Sequence, residues 1–207
     1  MDDFLRARAQ QWLMRASTYL ADDDSRDPYG AYFSYFICLL IIAKDHQNSS
    51  SRHIGPGDEN LIKDLFKGNY RAVLDALKTG ELPSVTKALS GRLGDEGLES
   101  GQSIIFVKST QSIQDKKYKC IVADLNELAR YWDGSEDEDD CRQGSSARAC
   151  QVFTFLWQIR NNLFHGEKGY GANRRVESDQ HLLEDACKIT SAIISALLPD
   201  AARGFAG

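Results

Sequence analysis

The sequence predicts an all-α fold, on three observations. Apolar residues recur at three- and four-residue spacing near both ends of the chain, as Phe4, Leu5, Trp12, Leu13, Ala16 and Leu20, and as Leu182, Ala186, Ile189, Ile193 and Leu197. A second early segment, residues 32–42, is apolar nearly all round, which places it between other helices. Only one run, Ile104-Ile105-Phe106-Val107, reads as a short strand or a buried connection, and a single strand cannot make a sheet. The 207 residues form one domain, long enough to bury a real core.

The elements follow in order. The first amphipathic helix ends before Asp22-Asp23-Asp24-Ser25. Asp27-Pro28 opens the second, with aspartate as N-cap and proline at the first helical position. Its helical pattern runs over residues 29–44, and its aromatic cluster (Tyr32, Phe33, Tyr35, Phe36) reads as core. A polar, glycine-containing stretch from Asn48 to Gly57 reads as a loop. Short helices are predicted at 59–67, 70–78 and 84–93, so residues 48–110 read as an accessory helical insertion. A long helix is set up by Ile113, Lys117, Cys120, Ile121, Leu125, Leu128 and Trp132. Residues 133–147 form an acidic, flexible loop leading into a helix over 147–164, and Ser178 is the expected cap of a last helix over 179–198 that Pro199 stops.

Composition excludes several classes. A mean hydropathy of −0.42 suits a soluble protein. The uncharged run 31–43 falls short of the roughly 20 residues needed to cross a bilayer. The acidic start shows no secretory signal, and five cysteines without a Cys-x2-Cys pair read as reduced thiols of a cytoplasmic protein. A net charge of −5 argues against a generic nucleic-acid coat. The charge is nevertheless uneven: residues 142–175 hold six cations and one acid, a local balance of +5 that suits an anionic ligand. Residues 133–140 hold six acids and no base, and read as solvated loop.

The chemistry converges on Arg160-Asn161-Asn162-Leu163-Phe164-His165-Gly166-Glu167-Lys168. On a wheel of about 100° per residue, Val152, Phe153, Leu156, Trp157, Ile159, Leu163 and Phe164 make a broad apolar arc, with Arg160 inside it. An arginine facing apolar surface keeps its charge and so needs a specific acceptor or an interface that supplies one. Asn161 and His165 share the neighbouring polar face, one turn apart. His165 has the side chain suited to a general base near neutral pH. Arg160 offers planar donors that match phosphate, and Asn161 either orients the imidazole or donates to a phosphate oxygen. Asn162, Lys168, Arg174 and Arg175 are candidate RNA- or phosphate-binding residues in and after the helix end. His46, His53 and His181 lack a second ligand at metal spacing, so no metal and no cofactor is expected. Tyr170 beside two glycines either packs over the loop or stacks a base.

Arg-x4-His with a polar residue after the arginine, within the longer string from Arg160 to Gly166, resembles the signature of HEPN domains, small all-α modules common in prokaryotic conflict systems. The early apolar helix and the late amphipathic helix resemble that architecture too, whereas residues 48–110 hardly do. The resemblance implies catalytic roles for Arg160, Asn161 and His165, and a homodimer that brings two motifs into one cleft. It implies a metal-independent endoribonuclease, a toxin or antiviral effector, that cuts RNA by 2′-hydroxyl attack and leaves a 2′,3′-cyclic phosphate. The alternative in the same family is a noncatalytic module that binds a nucleotide, RNA or a partner protein; a third possibility is a structural helical protein. One departure is the second helix, where Phe36-Ile37-Cys38-Leu39-Leu40-Ile41-Ile42-Ala43 lacks the tryptophan and asparagine often found there. No effector domain is fused, so an antitoxin or other regulator is expected to be a separate chain.

Overall fold

A computed structural model describes residues 3–21, 26–49, 57–82, 84–85, 149, 152–157, 159–161 and 176–198. Every regular element among the described residues is a helix, as the sequence predicts. They are α1 (Asp3–Leu20), α2 (Pro28–Ser49), α3 (Asp58–Gly68), α4 (Tyr70–Leu77) and α5 (Val176–Leu197). The motif segment is helical at 152–157 and 159–161.

α2 is the hub, packing against α1, α3 and α5, while α4 lies on α5. Its apolar sequence explains that place, because a helix without a polar face is stable only when covered on several sides. Tyr32, Phe36 and Leu39 of α2 are fully buried, together with Ile62 and Phe66 of α3 and Phe155 of the motif segment. α1 contributes a narrow small-residue seam, Ala9 and Ala16, which lets its backbone approach α2 closely. Two buried hydroxyls are satisfied within their own helices. Ser34 donates to the Gly30 carbonyl at 2.8 Å and Thr190 to the Ala186 carbonyl at 2.7 Å, one turn back in each case.

The start of α2 follows the predicted chemistry. Asp27 Oδ1 accepts from the backbone N–H groups of Tyr29 at 3.1 Å and Gly30 at 3.0 Å, satisfying two donors that the helix itself cannot. Its end does not match. The helix continues past Lys44 to Ser49, into residues read as loop, with the Ser49 hydroxyl donating to the Asp45 carbonyl at 2.9 Å. α5 likewise begins earlier than expected, at Val176, so Ser178 lies within its first turn rather than at its cap.

α3 and α4 lie within one residue of the predicted bounds. Asn69 joins them. Its backbone and side-chain nitrogens both donate to the Leu65 carbonyl, and its own carbonyl accepts from Val73. Gly80, with φ 61°, takes the left-handed turn after α4 that a residue with a Cβ rarely adopts. The two helices are part of the main core: Leu61, Ile62, Leu65, Phe66, Val73 and Leu77 belong to the same buried cluster as α2 and α5. Helices expected over most of 84–93 and over 113–132, the strand-like run 104–107 and the loop 133–147 lie outside the described residues. Among those described, no helix is long and apolar enough to cross a membrane.

Candidate functional site

The motif segment is held by its apolar face. Val152, Phe153, Phe155, Leu156 and Ile159 are all buried, which accounts for the broad apolar arc in the sequence. Rings connect it to its neighbours: Phe153 meets Phe66 of α3 edge-on at 6.0 Å, and lies 5.7 Å from Trp157. Trp157 in turn lies 5.7 Å from Phe36 of α2. α2 adds a polar anchor, since the buried Tyr32 hydroxyl donates to the Leu156 carbonyl at 2.6 Å. That bond clamps the helical turn from which Arg160 projects.

Arg160 rests on this aromatic floor, only partly buried. Its guanidinium carbon is 5.0 Å from the Trp157 ring centre and 5.8 Å from that of Phe36. Two electron-rich faces thus offset the cost of drawing a cation that cannot be neutralised toward an apolar core. Its Nη1 donates to Asn161 Oδ1 at 3.0 Å. The arginine and the amide that the sequence singles out are therefore one hydrogen-bonded unit. This unit also reaches Tyr32, whose phenol is raised well above its usual range by burial and by the neighbouring Cys187, while the Arg160 charge pulls it back down.

Of the sequence-predicted site residues, Arg160 and Asn161 are described and lie together. His165, Asn162, Lys168, Arg174 and Arg175 lie outside the described residues, as do Tyr170 and His53. Of the histidines left without a role, His46 Nε2 stands 3.7 Å from Asp64 Oδ2, and His181 Nδ1 stands 3.5 Å from Glu184. Among the described residues no group of three or more His, Cys, Asp or Glu could hold a metal ion.

Sequence reasoning did not find Phe36 and Tyr32 as neighbours of the site. Both read as core and are core, but they also support the motif arginine and its turn. A signal was present: an arginine within an apolar arc has to seat on something, and α2 is the apolar helix with clustered rings. In comparisons with known proteins, the chain matches no family model, no curated protein and no solved structure.

Proposed function

We propose that the protein is a metal-independent endoribonuclease of the HEPN type, a cytoplasmic toxin or antiviral effector that works as a homodimer and is held in check by a separate chain. The observation that carries the reading is the seat of Arg160 on Trp157 and Phe36, joined to Asn161. A guanidinium held by its face presents its N–H donors along its edge, the geometry that suits two phosphate oxygens. His165 follows Asn161 by one helical turn in the sequence, so a base accompanies the cation.

The proposed chemistry needs little else. His165 takes the proton of a ribose 2′-hydroxyl, whose oxygen attacks the adjacent phosphorus. The bond to the 5′-oxygen of the next nucleotide breaks, that oxygen takes up a proton and leaves as a 5′-hydroxyl, and a 2′,3′-cyclic phosphate remains. Arg160 balances the charge that develops on the phosphate oxygens. Two motif helices facing each other across a twofold axis would bring both sets of residues to one cleft. Asn162, Lys168, Arg174 and Arg175 grip the RNA backbone.

Purified protein incubated with total RNA in chelator, followed by sequencing of the cut ends, tests the proposal. Cyclic-phosphate ends are expected, and His165→Ala should lose about 10²–10⁴-fold in rate with RNA affinity little changed. Light scattering at micromolar concentration should give the mass of a dimer. The combined Lys168→Gln, Arg174→Gln and Arg175→Gln variant should bind RNA more weakly yet turn over normally at saturation. Cleavage that vanishes in chelator and returns with magnesium would refute the mechanism.

A further inference from the structure

α1 presents aromatic and arginine side chains in alternation along one stripe. Phe4, Arg8, Trp12, Arg15 and Tyr19 fall within about 80° of one helical face, beside the seam of Ala9 and Ala16 that packs on α2, with its centre about 90° away from it. Each arginine lies on a ring. Arg8 is 5.7 Å from the Phe4 centre, and Arg15 is 5.3 Å from that of Trp12 and 5.8 Å from that of Tyr19. Arg15 Nε also donates to the Tyr19 hydroxyl at 3.2 Å. Trp12 meets Phe33 of α2 edge-on at 6.2 Å, which widens the stripe onto a second helix. Phe4 is 66% exposed and Phe33 38% exposed, so two large rings here face solvent although burial would favour them, while Trp12 and Tyr19 are half-buried against the core.

Charge decides what such a stripe can take. α1 holds three arginines (Arg6, Arg8, Arg15) against one acid (Asp3), a balance of +2 within a chain of net −5. After it the sequence turns acidic at Asp22, Asp23 and Asp24, which bounds the cationic stretch. An apolar protein face laid here would strip water from two guanidinium groups without giving them an acceptor. A single-stranded nucleic acid offers bases to the rings and phosphates to the arginines at once. The steps of four residues advance about 6 Å each along the helix, so ring and cation alternate at short intervals.

We propose that this α1 stripe, together with Phe33, is a binding path for single-stranded RNA. Bases stack on Phe4, Trp12 and Phe33, while the edges of Arg8 and Arg15 contact phosphates. The choice of RNA as ligand rests on the ribonuclease reading of the motif.

The test is fluorescence anisotropy with a labelled 2′-O-methyl RNA 20-mer, which binds but has no 2′-hydroxyl to attack. Arg8→Gln with Arg15→Gln should weaken binding about tenfold or more and flatten the log–log salt slope by about 1.4, two contacts at about 0.7 each. Phe4→Ser with Phe33→Ser should weaken binding about tenfold with the slope unchanged. A thiouridine-bearing oligomer crosslinked to the unmutated protein should leave adducts on α1 peptides, a readout that needs no variant. No binding by the unmutated protein, wild-type affinity in both variant pairs, or adducts only outside α1 and Phe33 would each overturn the proposal. So would a changed oligomeric mass with unchanged RNA affinity, which would assign the stripe to a second copy of the chain. Cleavage of ordinary RNA reports on the motif separately. Cutting that persists beside unaltered binding in the α1 variants sinks only this inference, and α1-dependent binding without any cutting sinks only the ribonuclease reading.

Discussion

At the scale of residues, Arg160 ties fold to chemistry. Its guanidinium lies against two rings and donates to an amide oxygen, contacts that a flat, forked cation makes at once. Lysine keeps the charge but is compact and lacks both the planar face and the fork. Arg160→Lys should therefore lower RNA cleavage by about 10²-fold, the scale of losing one well-placed donor at developing charge. Thermal melting of the same variant should show only a modest loss of stability, since exposed cation–π contacts are worth about 0.5–1 kcal/mol. Tyr32→Phe is the complementary case: it removes the 2.6 Å bond to the Leu156 carbonyl while keeping the ring. Urea titration should register about 1 kcal/mol of destabilisation. The arginine's position was legible because an arc of apolar residues with one cation inside it is visible in sequence. Its floor was only half legible. Trp157 lies three residues away on the same arc, whereas Phe36 is 124 positions distant, and no local period encodes that contact.

At the scale of elements, α2 shows why helix starts are easier to read than helix ends. Asp27 must supply an acceptor to the orphan N–H groups, and Asp-Pro announces it. Asp27→Ala should cost about 1 kcal/mol in urea titration. Gly30 belongs to the same device. A Cβ there would meet Asp27 Oδ2 at 2.5 Å and the Tyr19 ring at 3.1 Å. Gly30→Ala should thus destabilise, although alanine is the better helix former by about 1 kcal/mol, because the added methyl displaces the capping carboxylate. The two substitutions together should cost less than their sum, since removing the carboxylate also removes the clash. Additive costs in a double-mutant cycle would contradict this account. At the other end, Asp45-His46-Gln47 lies beyond the apolar pattern, and Asn48-Ser49 reads as the start of a loop. Tertiary contact continues the helix there. His46 lies over Gly68, where an added Cβ would meet its Nε2 at 3.0 Å, and beside Asp64 of α3. The start of α5 departs from the sequence pattern because Ser178 is a good cap by type, yet Val176 and Glu177 are already helical.

At the scale of the molecule, two buried thiols sit where α2 meets its neighbours. Cys38 Sγ lies 3.6 Å from the Ala9 carbonyl of α1, and Cys187 Sγ of α5 lies 3.6 Å from the Pro28 carbonyl. Their place at two helix junctions is not legible in the sequence, because it depends on how α1 and α5 dock on α2. Burial pushes the Cys38 thiol from 9.0 up to about 12. Burial raises Cys187 further still, helped by the carboxylates of Glu184 and Asp27. Both groups are thus held neutral in the folded chain and ionise near their ordinary value once it unfolds. Above about pH 9 the folded state binds more protons than the unfolded state, and stability falls as pH rises. The contribution is complete below that pH and is lost progressively up to about 12 for Cys38, at about 1.4 kcal/mol per pH unit per thiol. Two thiols together would remove about 3 kcal/mol per unit, a large share of the roughly 5–15 kcal/mol that holds a domain folded. Urea midpoints should therefore stay level from pH 7 to 8.5 and drop steeply from pH 9.5 to 11. Cys38→Ala with Cys187→Ala lowers stability at neutral pH by creating small cavities, but it should flatten the alkaline slope, leaving the buried phenols of Tyr32 and Tyr35 to act above about pH 10. A double variant whose alkaline slope equals that of the unmutated chain would show that other groups set the alkaline limit.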